Sequence, residues 1–360
     1  MLALLSLLSS ALAISQPPPP LSRRGVLIAA GAAGATSPLP AAAARSRPAP
    51  PVERVWKLAG GVEFPTLALN TAGLSEFASE RALLQASGAG FTHVDFHPGI
   101  ERNAVRASSS HPSEMVETLV ASQTTKISKP AVGTSPSEAA ALVRRQVEED
   151  LGVLNVAQVD MLMLRDSPSC EVMQAQWAEL ERVKAAGLTR SIGVVNYCEG
   201  SLDCILRTAK EPPAVNYFML HVGMGPDAGG LRSFGESRGI RSFAYGALGE
   251  PGPSDELISS PVLKRIGSAH GDRSSEEVAL RWVLQNGLAC SVRPTSNFGL
   301  GTSACDPFDV CTAGLTKRSQ VFDWSLSAAE MAELNALTSP GGNPTLFSST
   351  GCPNSFFASK

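Results

Sequence analysis

The most constraining feature of this 360-residue sequence is a unit that recurs from Phe64 onward. A short apolar or β-branched run is followed by an amphipathic helical stretch, and the unit returns about every 25 to 40 residues. The runs are continuously apolar, which predicts a parallel sheet that is buried on both faces. The eight runs are FPTLALN, FTHVDF, ETLVASQTTK, QVDMLMLRD, TRSIGVVNY, PAVNYFML, IRSFAYGAL and LACSVRPTS.

Eight such units predict a (β/α)8 barrel, because eight parallel strands with covering helices close into that α/β fold. We expect a single barrel domain over residues 52–340, with a short cap around Val55 to Phe64 and a C-terminal tail over 341–360. An open doubly wound sheet is the alternative, although no GxGxxG segment follows the first strand.

The helical stretches between the runs have one apolar face. In VMQAQWAELERVKAAGL, the residues Trp177, Leu180 and Val183 recur at helical spacing, and Gly187 follows as a C-cap. These signals predict a helix that packs on the sheet and ends before the next strand.

Composition excludes several classes of function. With 43% hydrophobic residues and a net charge of −3, the chain has a large core and no basic excess for nucleic acid. No HExxH or HxH spacing occurs among its histidines, so we expect no metal site. Seven cysteines are too few for a disulfide scaffold. We interpret Cys198, Cys204 and Cys290 as small buried residues, whereas Cys305 and Cys311 could close a small loop.

The N-terminal region differs from the rest, because no Asp or Glu precedes Glu53. Residues 1–13 hold a short apolar run that ends on small residues, as a signal peptide does. Residues 22–44 place the twin arginines Arg23 and Arg24 ahead of a second mild apolar stretch. Both stretches fall short of the roughly 20 apolar residues that span a bilayer.

Two successive signals of this kind resemble those on precursors of complex algal plastids. We expect plastid import, twin-arginine transport into the thylakoid lumen and a mature N-terminus near Arg45, with no membrane anchor left after processing. Export to a periplasm is the alternative destination, and a membrane anchor or a disordered tail is the alternative interpretation of the region.

Polar side chains recur where the predicted strands end. The carboxyl ends of barrel strands meet at one face, where ligands bind. We therefore expect a mouth that binds a small carbonyl compound or anion. The polar strand ends are Asp95, Lys126, Arg165 with Asp166, Asn196, Asn216 with Tyr217, Tyr245, and Arg293 to Asn297.

These strand ends also resemble the aldo-keto reductases, a family of NADPH-dependent barrel enzymes. The similarity runs from about Trp56 to Thr338, with its segments in the family's order. GFTHVDF resembles the strand with the catalytic Asp, TTK the strand with the catalytic Lys, and VDMLMLRDSP the fourth strand. The other similar segments are WAELERVKAAGLTRSIGVVNY, PAVNYF, AYGALG and VFDWSLSAAEMAELNAL.

The resemblance implies carbonyl reduction by four residues. A Tyr protonates the oxygen, a Lys lowers the pKa of that Tyr, an Asp holds the Lys, and a His orients the carbonyl. Asp95 and Lys126 match their positions, but the Tyr position, five after Asp95, is Ile100, and the His position is Arg165. The resemblance therefore implies the family's catalytic loop without its acid.

Other residues are candidates for the missing roles. His97 and Glu101 flank the gap and could donate a proton, although we interpret them as solvated loop residues. None of the three tyrosines is expected beside Asp95. Arg165 either binds a carbonyl or carboxylate oxygen or pairs with Asp95 or Asp166.

The resemblance further implies an NADPH site that is complete at one end only. Asn196 matches the residue that grips the nicotinamide amide, Tyr217 stands where the family uses a Gln for that amide, and Tyr245 matches the stacking aromatic. VRPTSN (292–297) resembles the family's phosphate segment. The stretch after it, FGLGTSACDPFDVCTAGLTKRS, is too rich in Gly, Pro and Asp for the family's adenine-binding helix. The phosphate segment retains Thr295, Ser296 and Asn297, and Arg293, Lys317 or Arg318 could substitute for the cationic side chains of that helix.

Three hypotheses for function follow. The chain is a NAD(P)H-dependent reductase with a rebuilt proton donor, a non-catalytic protein that binds a nucleotide, metabolite or partner, or a protein with an unrelated activity at the mouth, such as anion binding.

Overall fold

An antiparallel hairpin precedes the barrel in the computed structural model, which describes residues 51–109, 122–249, 254–294 and 310–337. Strands β1 (Val55–Lys57) and β2 (Glu63–Pro65) pair with each other. Trp56 and Phe64 stack at 5.8 Å between ring centroids, and both belong to the cluster that fills the inside of the barrel. The hairpin therefore plugs the end of the barrel where the strands begin.

Eight parallel strands close into a barrel whose last strand pairs with its first. The predicted (β/α)8 barrel is thus confirmed, and the open doubly wound sheet is wrong. Every predicted apolar run contributes one strand. The strands are β3 (Leu67–Asn70), β4 (His93–Asp95), β5 (Ser122–Ile127), β6 (Val159–Arg165), β7 (Thr189–Val195), β8 (Val215–Met219), β9 (Arg241–Tyr245) and β10 (Ala289–Val292).

Helices follow the strands and cover the outside of the barrel. Several begin with a serine whose hydroxyl accepts a backbone N–H, and Ser274 and Ser327 form capping boxes with the glutamates three residues later. The helices are α1 (Glu76–Gly88), α2 (Glu101–Ser109), α3 (Pro136–Leu154), α4 (Cys170–Ala185), α5 (Glu199–Leu206), α6 (Leu231–Glu236), α7 (Ser254–Ser259), α8 (Pro261–Ala269), α9 (Ser275–Gln285), α10 (Val310–Ser319) and α11 (Ala328–Ala336).

Two predictions about local structure have different outcomes. Trp177, Leu180 and Val183 on α4 are buried, and Gly187 adopts a left-handed φ of 75° just beyond the helix, as predicted. Within the segment judged too rich in Gly, Pro and Asp for the family's adenine-binding helix, Val310–Ser319 is helical and forms α10. The rest of that segment, residues 298–309, lies outside the described residues.

The core has two layers because successive strand residues point to opposite faces. On β6, Met161 and Met163 point into the barrel, while Leu162 and Leu164 point outward to the helices. None of the helices in the described ranges is long and apolar enough to cross a membrane.

A disulfide joins two consecutive βα units. Cys170, the first residue of α4, is bonded to Cys204 on α5, 34 residues away. Cys204 is buried, as expected, but it is disulfide-bonded and not merely a small packed residue, and Cys198 has no free thiol either. Cys290 is a free buried cysteine, as expected. Sequence spacing alone does not determine which cysteines pair.

Breaking this disulfide should destabilise the fold. We expect Cys170→Ala with Cys204→Ala to lower the free energy of unfolding by about 2–4 kcal/mol, because the unfolded chain loses a covalent constraint. Denaturant unfolding measures the change. Each single variant breaks the same bond, so the double variant should cost little more than either single. An unchanged midpoint in all three would contradict the expectation.

Candidate functional site

A cavity of about 410 Å³ opens at the carboxyl ends of the barrel strands. It is of the size that holds small molecules and cofactors. Of the predicted site residues, Lys126, Arg165, Asn196, Tyr217, Tyr245 and Arg293 line it. Thr295, Ser296 and Asn297 lie outside the described residues. The remaining wall consists of Asn70, Ala72, Gly73, His97, Val195, Gly246 and Ser291.

A fully buried ion pair forms the floor of the cavity. Lys126 on β5 pairs with Oδ1 of Asp95 on β4, and neither side chain is exposed to solvent. The Lys126 ammonium also donates to the Phe96 carbonyl oxygen at 3.2 Å. Burial lowers the pKa of Lys126, and the charge and hydrogen bond of Asp95 oppose this shift. Adjacent parallel strands bring these two residues together, which suits the positions that the resemblance gave them.

Tyr217 lies directly beside Asp95, so the expectation that no tyrosine does is wrong. Its hydroxyl donates to Asp95 Oδ2 at 2.6 Å, accepts from Asn70 Nδ2 at 3.0 Å and lies 2.6 Å from Ser291 Oγ. Burial and the negative charge of Asp95 raise the pKa of Tyr217 well above its ordinary value. The phenol therefore stays protonated, and its hydrogen bond is directed at the Asp95 carboxylate.

The geometry of Lys126 relative to Tyr217 adds to this conclusion. The Lys126 ammonium lies 5.0 Å from the centroid of the Tyr217 ring, over its face. It is therefore placed to interact with the ring, while Asp95 holds the hydroxyl. In the tetrad the lysine lowers the pKa of the acid, but here the nearer carboxylate has the opposite effect.

Asn70 and Ser291 are site residues that the sequence analysis missed. Asn70 ends β3 and also accepts from the Ala72 backbone N–H at 2.8 Å. Ser291 lies inside β10 and is 2% exposed. Asn70 had a signal, since it is the polar end of FPTLALN, but nothing in LACSV distinguishes Ser291 from a core serine.

The loop after β4 contributes His97 to the cavity and not Ile100. Ile100 is 54% exposed and does not line the cavity, so the idea that it fills the place of the missing phenol is wrong. His97 and Glu101 are not solvated loop residues either. Glu101 is buried, and its carboxylate accepts from the Gly73 backbone N–H at 2.8 Å. It thereby ties the loop after β3 to the start of α2.

His97 is a neutral imidazole in a positive environment. Burial and the charges of Lys126, Arg165 and Arg293 lower its pKa from 6.5 to about 2. Arg165 Nη2 lies 3.4 Å from His97 Nε2. Because a guanidinium can only donate, His97 Nε2 accepts, and the other ring nitrogen of His97 carries the hydrogen. A neutral imidazole can orient a ligand, but it is a poor proton donor at neutral pH.

His97 should make stability depend on pH. The folded pKa is below the unfolded value of 6.5, so the contribution is complete above pH 6.5 and is lost toward pH 2. We expect native protein to lose about 1.4 kcal/mol more per pH unit than His97→Gln between about pH 6 and 4. Chemical unfolding at several pH values measures the two slopes. Equal slopes would show that His97 is protonated in the fold.

Arg165 pairs with neither of the carboxylates proposed for it. Asp95 is bonded to Lys126, and Asp166 pairs with Lys129 at 2.7 Å. No carboxylate of the described residues lies within 4.0 Å of the Arg165 guanidinium. The alternative of an Arg165–Asp pair is therefore wrong, and the guanidinium faces the cavity.

The wall opposite the His97 loop carries the residues matched to the nicotinamide end. Asn196 follows β7 with a left-handed φ of 59°, a conformation that asparagine tolerates. Its Oδ1 accepts from the Tyr245 hydroxyl at 2.9 Å, which leaves its Nδ2 amide without a partner in the described structure. An amide beside an aromatic ring fits a planar carboxamide ligand.

Of the two arginines proposed for the adenine end, Arg318 makes internal contacts and Arg293 faces the cavity. Arg318 is 3% exposed, pairs with Glu276 at 3.2 Å and donates to the Arg293 carbonyl oxygen. The Arg318 side chain is therefore used in contacts within the protein, whereas Arg293 lines the cavity. Within the described ranges, no group of His, Cys, Asp and Glu is arranged to hold a metal ion.

Comparison with known proteins gives consistent results. The model of the "Aldo/keto reductase family" matches residues 69–300. Morphine 6-dehydrogenase of Pseudomonas putida is 27% identical over 295 residues, which cover 78% of this chain and 90% of that protein. NADPH-dependent codeinone reductase 1-4 of Papaver somniferum is 31% identical over 166 residues, 45% of this chain and 46% of that protein. The chain thus spans about half the length of such plant relatives.

A solved structure shows the same fold. The aldo-keto reductase MGS-M4, from a deep-sea metagenome library of the Medee basin, superposes with a TM-score of 0.67. The superposition covers 81% of this chain and 96% of that one, at 18% identity. At this identity the likeness concerns the barrel architecture.

Proposed function

Because this chain belongs to the aldo/keto reductase family of oxidoreductases, we propose that it binds NADPH at the barrel mouth and reduces carbonyl compounds only slowly. Members of this family generally use NAD(P)H. Asn196 and Tyr245 would hold the nicotinamide end, where bound NADPH supplies a hydride. We propose a weak reductase, and the alternative is a protein that binds the cofactor without reducing carbonyl compounds.

The observation that carries the proposal is the state of the three tyrosines, all of which are described. Tyr217 donates to Asp95, and Tyr245 donates to Asn196. Tyr197 is completely buried and does not line the cavity. No phenol is thus oriented to protonate a carbonyl oxygen in the cavity, and acid catalysis of this kind contributes roughly 10²–10⁴-fold in rate.

Cofactor binding is the direct test. NADPH added to the protein from residue 46 onward should quench tryptophan fluorescence, and we expect Tyr245→Leu to weaken binding at least tenfold because the ring that the nicotinamide contacts is removed. Phe77→Leu is the matched control, since it removes an aromatic ring that is 66% exposed on α1. The proposal fails if NADPH causes no saturable quenching, or if both variants bind equally well.

For location, we propose delivery to the thylakoid lumen by the twin-arginine route, with export to a periplasm as the alternative. The Cys170–Cys204 disulfide supports an oxidising destination, since disulfides are rare in reducing compartments. Replacing Arg23 and Arg24 by lysine in the precursor should retain it on the stromal side of the thylakoid membrane. Unchanged delivery of that double variant would count against the route.

A further inference from the structure

The charge of the cavity wall is one-sided. Of the described residues that line it, Lys126, Arg165 and Arg293 are cationic and none is acidic. Asp95 neutralises Lys126 from below. Among the described lining residues, Arg165 therefore leaves the wall positive, and a concave positive site attracts anions.

Arg165 is the cation best placed to hold a small ligand. It lines the cavity. Among the described residues, no carboxylate lies within 4.0 Å of its guanidinium, and its one hydrogen-bond partner is the neutral His97. A bidentate carboxylate compensates well for the hydration that a guanidinium loses in a cavity, whereas a single imidazole nitrogen compensates poorly. His97 acts as a positioning residue, because its nitrogen fixes the direction of the guanidinium fork.

The topology separates Arg165 from Arg293. Arg165 ends β6 and Arg293 follows β10, and in the barrel order β10-β3-β4-β5-β6-β7-β8-β9 these strands are four positions apart in either direction. The two arginines thus lie on opposite sides of the mouth. An anionic group on Arg165 is a different group from any phosphate that Arg293 holds.

We propose that the ligand at Arg165 is the carboxylate of a small oxo acid, whose carbonyl group then lies in the cavity above Lys126. This inference rests on the proposed function for the identity of the reacting group. The carboxylate site itself depends only on Arg165 and its surroundings. Arg165 is then the residue that selects charged over neutral carbonyl compounds.

Binding without cofactor tests the site independently of reduction. Pyruvate is the probe, butane-2,3-dione is its neutral counterpart, and inorganic phosphate is the competing anion; saturation-transfer NMR and calorimetry measure each. We expect pyruvate to bind, the dione to bind at least tenfold more weakly, and phosphate not to displace pyruvate at equal concentration. If phosphate competes equally, the site is a general anion site and the oxo-acid proposal is overturned.

Variants locate the site. Arg165→Gln should weaken pyruvate binding at least tenfold, and Arg165→Lys, which keeps the charge but loses the fork, should lie in between. Arg190→Gln is the matched control, because Arg190 lies near the opposite end of the barrel and pairs with Asp160 at 3.0 Å. Unchanged pyruvate affinity in folded Arg165→Gln would overturn the proposal. Failure of NADPH to bind, with pyruvate binding intact, would refute the reductase alone.

Discussion

Lys126→Met is expected to lower the free energy of unfolding by about 3–5 kcal/mol. The substitution leaves the Asp95 carboxylate fully buried without its cation, and among the described residues only the Tyr217 hydroxyl still donates to it. An uncompensated buried charge is costly because water cannot solvate it. Denaturant unfolding at neutral pH measures the loss.

Two further variants make this result specific. Lys129→Met removes another lysine of an ion pair, but its side chain is 47% exposed, so we expect a change of no more than about 1 kcal/mol. Asp95→Asn combined with Lys126→Met should cost less than the sum of the singles, because no charge is left behind. If Lys126→Met and Lys129→Met have equal effects, the buried pair contributes nothing beyond a surface pair.

The second large effect concerns catalysis. The unmodified protein should reduce simple aldehydes with NADPH roughly 10²–10⁴-fold more slowly than relatives with a complete tetrad, since no phenol offers its proton to the cavity. Loss of NADPH absorbance measures the rate. Ile100→Tyr should restore nothing, because residue 100 is outside the cavity wall.

Moving the phenol to the cavity should help where Ile100→Tyr does not. His97→Tyr places the new hydroxyl in the cavity near Lys126, whose charge favours the phenolate and so lowers the pKa of the phenol. His97→Tyr with Arg165→His should exceed the two singles combined, since groups that act as a unit are non-additive. Brisk reduction by the unmodified protein, abolished in His97→Ala, would identify His97 as the donor and refute the weak-reductase proposal.

The strand count and the strand-end residues were predictable because both follow from local pattern. A buried parallel strand is a continuous apolar run, and its polar end marks the mouth. Asp95 and Lys126 end up together because β4 and β5 are adjacent in the barrel. The strand pattern thus placed both residues at the mouth, while their pairing was an expectation from the family resemblance.

The partners of Tyr217 were not predictable in the same way. Its contact with Asp95 joins β8 to β4 across the interior of the barrel, over 122 residues of sequence. That contact depends on strand tilt and on side-chain direction, which the pattern of apolar runs does not record. The burial of Glu101 likewise depends on how the Pro98–Gly99 turn places the start of α2.

The Cys170–Cys204 bond has a consequence for proteolysis. A protease that cuts once anywhere between these residues separates the chain into two peptides that remain covalently joined. On a denaturing gel the nicked protein would migrate as one species until a thiol reagent is added, and as two afterwards. The linked fragments also stay at high effective concentration, so a nick in α4 or in the loop after β7 need not release either half of the barrel.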